Sequence, residues 1–273
     1  MDLISRNTLL LFLLVALVGG CVPTLSSVSG VDRESTVYAG AYSEDLVWSG
    51  QVAMTGDVLI LENASLTILA GTEIVVTSAE GTQIDPEYLS SLTELLVRGR
   101  LDIQGSATEP VRFVAASPVS GEDYAWAGII LDQARKSSIA HAEISGADTA
   151  ILVINCSPLI EGNQINGCRY GIVAQQSSHP KILDNTIANG EGGVFCWRGS
   201  TPYLKGNRIV DHDEEGVFVD ADSRPWLDRN TISGNSIGLA LYPRDLPFDP
   251  TEISNNGEDV RFLGSQGLPD GEP

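Results

Sequence analysis

Aromatic residues make up only 6% of this chain, methionine occurs twice, and lysine and arginine together number 16. So few large rings argue against aromatic-rich globular packing. The shortage of cations is sharper: 36 acidic residues oppose them, for a formal net charge of −20. Such a field repels a phosphate backbone, so nucleic acid is not an expected partner, and the acid surplus reads as a means of keeping an edge-rich surface soluble. The mature part shows no helical 3.6-residue period, which disfavours bundles and βαβ units. Long apolar runs are absent apart from Thr8 to Val18, which is too short to span a bilayer comfortably. What is plentiful is 42% hydrophobic sequence and 28 glycines, a mixture suited to many short strands and tight turns.

The apolar run follows a single cation, Arg6, and ends in Gly19-Gly20-Cys21, small residues of the kind found at a cleavage site. The run Leu17-Val18-Gly19-Gly20-Cys21 resembles the lipobox of prokaryotic lipoproteins, although Val18 stands where leucine is commoner. The resemblance implies that Cys21 takes a diacylglycerol thioether and becomes the N-terminus. A membrane is then the expected partner and an extracytoplasmic, lipid-anchored cell envelope the expected location. The organisation expected is a signal peptide over 1–20, a flexible tether over 21–45, one β-helical domain over 46–263 and a disordered tail over 264–273.

An internal repeat decides the fold. Pro158, Pro180, Pro202 and Pro225 are 22, 22 and 23 residues apart, and Asn163, Asn185, Asn207 and Asn230 follow them at constant offset. Ile165, Ile187, Ile209 and Ile232 come two residues later, and Gly171, Gly193, Gly216 and Gly238 each lead into a short apolar run. A unit of this length holds three short strands and no crossover helix. Coils that return to their own start and stack about 4.8 Å apart form parallel sheets around a filled axis. The isoleucines then stack inside, the asparagines form a structural ladder, and the glycines supply turn dihedrals. Upstream the rhythm is looser, and Thr77 to Thr93 interrupts it with an inserted loop, in which Pro86 to Leu92 suits a brief helix.

The stretches LTILAGTEI, LLVRGRLDIQGSATEPVRF and WAGIIL, with the later P-x-I-x-x-N-x-I units, resemble right-handed parallel β-helix repeat proteins related to pectate lyases. The expected fold is therefore all-β: a single-stranded right-handed parallel β-helix with coils of about 22 residues. The resemblance implies little about activity, since lyases, hydrolases, adhesins and spacers share the scaffold.

Two sets of residues are candidate sites. Asp211, Asp213, Glu214 and Glu215 precede one strand, and Asp220 and Asp222 leave it. If both ends of that strand face one side, the two groups would suit Ca²⁺; otherwise they are solvated acidic turns, the reading adopted, with no cofactor. No catalytic residue is assigned. Arg169 is expected to pair with Glu191 across one rung, and the three histidines share no column. Cys156, Cys168 and Cys196 remain as an odd set, with Cys196 placed in the core. The second candidate follows from alternation. If Ile172, Val194, Val217 and Leu239 point inward, then Phe195, Trp197, Phe218 and Tyr242 make an aromatic patch outside. That patch is a platform for sugar rings, or is covered by Tyr242 to Pro250, or the two faces exchange. The leading functional expectation is a monomeric, non-catalytic envelope lipoprotein, structural or binding surface polysaccharide or an envelope protein. The runner-up is a polysaccharide lyase or glycoside hydrolase.

Overall fold

A computed structural model of the chain describes residues 35–77, 92–116 and 124–264. The signal segment, Cys21, the helix expected over Pro86 to Leu92 up to its last residue, and the C-terminal tail after Gly264 lie outside the described residues. Among the described residues, twenty-five strands and one 3₁₀ turn, Pro250–Glu252, make up the regular structure. Every strand pair is parallel, and the strands fall into three stacks around one axis. The first stack runs from Leu46–Trp48 to Trp226–Asp228. The second carries the isoleucine column, and the third runs through Gly128–Asp132, Thr149–Ile154, Tyr170–Gln175, Gly192–Cys196 and Glu215–Val219 to Ile237–Leu241 and Glu258–Phe262. The fold is a right-handed parallel β-helix.

Like sits on like inside it. Ile144, Ile165, Ile187, Ile209, Ile232 and Ile253 are successive direct partners, continuing the line through Phe113 and Ile74. All are buried, and each buried isoleucine contributes on the order of 2 kcal/mol. Cys196 is fully buried among them, as expected. Cys156, Cys168 and Cys196 are free thiols, and burial pushes those of Cys156 and Cys168 up to about 11 and about 12.

Three expectations change. The helix begins before residue 46: Thr36–Tyr42 is a strand, paired with Gln51–Ile60, so the tether cannot extend through it. Its Ser- and Gly-rich approach hides an alternation that puts Tyr38 against Trp48, ring centroids 4.8 Å apart, over the open end of the core. The repeated glycines are needed for space rather than for dihedrals. None of the four has a positive φ, and a Cβ on Gly193 would stand 2.4 Å from the carbonyl oxygen of Gly216 on the next rung. Arg169 forms its ion pair with Asp148, at 2.7 Å on the preceding rung, and the Glu191 charge adds to the field at its guanidinium.

The asparagines form the ladder the repeat predicts. The Oδ1 of Asn185 accepts from the backbone N–H and Nδ2 of Asn163, both at 2.9 Å, and its Nδ2 donates to Ile160 and to Oδ1 of Asn207. Asn207 repeats the pattern with Asn230, and Asn230 ends on the Glu252 carboxylate, which accepts from its N–H and Nδ2 at 2.9 and 3.1 Å. A second ladder lines the next corner. There Asn235 donates to Ile209 and to Asn256, and Asn256 ends on Asp259. His212 takes one rung of it. Its Nδ1 accepts from Gly190 N–H, its Nε2 lies 3.2 Å from the Ile187 carbonyl, and its own N–H donates to Asn235. These bonds need the neutral ring with its proton on Nε2.

Replacing Asn207 by alanine removes an amide whose four bonding positions are all used and leaves buried backbone groups unmatched. The variant should lose about 3 kcal/mol in urea unfolding. Burial pushes the His212 imidazole below the usual histidine range, against the pull of the neighbouring carbonyl, Asp211 and Asp213. The unfolded chain therefore takes up this proton first. Stability is held above the ordinary histidine value of about 6.5 and falls as pH drops from there through the depressed folded value. His212→Asn keeps the ladder chemistry without the proton, so its unfolding midpoint should vary less than the native one between neutral and mildly acid pH. Equal slopes for the two proteins would rule out this assignment.

Candidate functional site

Inward and outward positions alternate along each third-stack strand, so two columns face outward beside the core. One reads Leu59, Leu96, Ile130, Leu152, Val173, Phe195, Phe218 and Ala240 in direct register. At its start, Leu59, Leu96, Ile130 and Ile154 form a second apolar cluster outside the main core, with Leu152 packed against it. The other column follows each last inward residue and reads Arg98, Asp132, Ile154, Gln175, Trp197, Asp220 and Tyr242. Backbone bonds from Trp197 to Ala174, from Asp220 to Cys196 and from Tyr242 to Val219 fix its later rungs.

The four expected aromatics meet on this face. Trp197 and Phe218 have ring centroids 4.6 Å apart, Phe195 and Phe218 5.5 Å, Phe195 and Trp197 6.3 Å, and Phe218 and Tyr242 6.2 Å. Tyr170 adds a fifth ring, edge-on to Phe195 at 4.9 Å. The rings shield one another, so Phe195 is only 7% exposed, yet Trp197 and Tyr242 stay 38% and 44% exposed. The segment after Tyr242 goes elsewhere: Leu246 is buried in the main core, and Phe248 packs against that core beside Trp226 and Leu227. It closes the end of the helix. Offset rings with two open faces suit stacking against flat apolar surfaces, the axial C–H faces of sugar rings among them.

The same face carries a cleft of about 960 Å³, and Gln175, one rung from Trp197, lies on its wall. Arg98 and Asp132 form a 2.8 Å ion pair there, with the Asp132 carboxylate nearly buried. Gln176 and Gln133, both in left-handed backbone conformations at strand exits, line it as well. The sequence reading placed the aromatic row on this face and missed the cleft. The signal was present, since Val97-Arg98 and Leu131-Asp132 stand in the column that leads to Cys196-Trp197, but the looser N-terminal repeat concealed the register.

The acidic candidates are not brought together. Asp211 to Glu215 enter Glu215–Val219, whereas Asp220 and Asp222 leave it, so the strand separates them by its own length. Asp220 is committed to its turn: it accepts from the backbone N–H groups of Arg198, Asp222 and Ser223, the last at 2.9 Å. Burial and the adjacent Glu214 push the Glu215 carboxyl up. Among the described residues no group of three or more His, Cys, Asp and Glu side chains could hold a metal ion, and no helix is long and apolar enough to cross a membrane. His141, His179 and His212 occupy different corners; His179 meets Thr201 across one rung, at the surface.

No curated protein and no solved structure matches the chain. Residues 125–260 match the family model described as a right handed beta helix region, a span that takes in the regular coils from Trp126 to the last strand and carries both ladders and the aromatic row. In architecture, then, this chain is a right-handed parallel β-helix.

Proposed function

We propose that this chain is a non-catalytic, lipid-anchored cell-envelope protein that holds surface polysaccharide on the outer face of its third stack. The observation that carries the reading is the row of Phe195, Trp197, Phe218 and Tyr242, which begins at Trp197 one rung from Gln175 on the wall of a polar cleft. Other residues fill the same places on neighbouring rungs: Val173 and Ala240 share the column of Phe195 and Phe218, and Gln175 and Asp220 share that of Trp197 and Tyr242. Apolar rings kept at a surface mark a contact site, and ring faces flanked by hydrogen-bonding groups suit carbohydrate. The anchor rests on Cys21 and the small residues before it.

The lyase or hydrolase reading depends on Asp211 to Asp222 acting together. Asp220 already caps a turn, and the two acidic groups stand at opposite ends of one strand, so they lack the facing carboxylates that such chemistry uses.

In gels cast with different polysaccharides, the native chain should be retarded by at least one of them. The double variant Trp197→Ala/Phe218→Ala should run unretarded while keeping a native-like unfolding midpoint. Undiminished retardation of that variant would discard the aromatic row as the contact. In a bacterial host, Cys21→Ala should shift the protein from the membrane pellet to the soluble fraction; a variant that still sediments with membranes would remove the lipid anchor from the proposal.

A further inference from the structure

Resting on the reading of the third-stack face as a glycan surface, we infer that its ligand is an uncharged, hydroxyl-rich polysaccharide lying along the helix axis, not a polyanionic one. The argument is the chemistry of the cleft. Four of its walls are carboxamides, Asn63, Gln133, Gln175 and Gln176, and each carboxamide offers both donors and an acceptor. Paired hydroxyls on a sugar ring present the same mixture. Among the described residues the charged groups lining the cleft balance one another: Glu62 and Asp132 against Arg98 and Arg135.

Both cations already have partners within the chain. Arg98 is held by Asp132 at 2.8 Å, and Arg135 donates to the Ala64 carbonyl at 3.2 Å with Glu62 lining the same cleft. From Ile154 and Gln175 on the cleft wall the outer column continues as Trp197, Asp220 and Tyr242, a run that contains an acid and no base. A uronate or sulfate chain on this track would meet the exposed cation of Arg198 beside Trp197, but it would lose hydration and approach against a formal charge of −20. A neutral chain meets neither cost. From the Asp132 rung to the Tyr242 rung the track climbs five coils, about 24 Å at ~4.8 Å per rung. That is room for several consecutive sugar units, with amides holding hydroxyls at one end and rings stacking at the other.

The test sets uncharged glucan, mannan and galactan against polyglucuronate, polymannuronate and polygalacturonate. The full chain is kept in detergent, and affinities are read by titration calorimetry at low and high salt. At least one neutral polymer should bind, with an affinity that hardly changes with salt. Its uronate counterpart should bind at least about tenfold more weakly at low salt, with the gap narrowing as salt screens the repulsion. A uronate that binds as tightly as its neutral counterpart, or more tightly, overturns the inference and leaves the glycan-binding function standing. Binding to none of the six sinks that function itself, and this inference with it.

A second arm addresses the cleft. Gln175→Ala/Gln176→Ala removes only side-chain amides, so the bonds that the Gln175 carbonyl accepts from Asn155 and Ser178 persist and the unfolding midpoint should hold. Affinity for the neutral polymer should fall about tenfold, the scale of one or two lost hydrogen bonds. A double variant that binds like the native chain overturns the role given to the cleft.

Discussion

Each coil of this molecule must turn corners against an apolar interior, and a corner cannot use the strand-to-strand bonding that satisfies the straight segments. Backbone N–H and carbonyl groups at the corners would otherwise be buried unmatched, at about 1–3 kcal/mol each. The asparagine ladder removes that cost. Every interior amide from Asn163 to Asn207 donates to a carbonyl on an earlier coil and to the next asparagine, and its oxygen accepts from the coil before. The isoleucine column can stay free of polar atoms because the polar work is concentrated one corner away.

A ladder of this kind has no natural end, since each asparagine calls for another. Both ladders stop the same way. Glu252 and Asp259 put carboxylate oxygens where the next amide oxygen would stand, and a carboxylate accepts without needing an onward partner. The last strand among the described residues, Glu258–Phe262, carries Glu258, Asp259 and Arg261, with Glu258 and Arg261 paired at 2.6 Å. Charges in that place discourage a further strand from adding. Termination is thus chemical at the corners and electrostatic along the edge.

The same division explains what the sequence made legible. Positions that touch their own copies one coil away are forced to repeat, so Ile165 to Ile232 and Asn163 to Asn230 disclosed the fold and its register without any structure. The second ladder escaped notice because its column runs Cys168, Gly190, His212, Asn235, Asn256, one geometric role filled by four residue types. His212 looked like an isolated histidine for that reason. The glycines were located correctly but for the wrong cause, because a dihedral requirement and a close approach to the next carbonyl leave the same letter in the sequence. Thr36–Tyr42 was missed because a terminal rung has a neighbour on one side only and need not match the repeat. Alternation alone carried the aromatic row, while the cleft lay in coils whose spacing was too irregular to count through.

Residues on the outer columns meet no such demand. A rung will stack whether valine, phenylalanine or alanine faces out, as Val173, Phe195, Phe218 and Ala240 show in one unbroken register. Departures from repetition there therefore carry information that departures inside do not: an inner change must be compensated to keep the coil, whereas an outer one is free to answer to something beyond the chain. Gathering Phe195, Trp197, Phe218 and Tyr242 onto neighbouring rungs does little for the coil, because the interior beneath them is already filled by Val194, Cys196, Val217, Val219 and Leu241. In a chain with only 6% aromatics, placing four of them on one outer face draws on a scarce residue type where packing does not ask for it. On the proposed reading, the physical account of that concentration lies outside the molecule, in a glycan that presents flat apolar faces and hydroxyls to those rings and to the amides beside them.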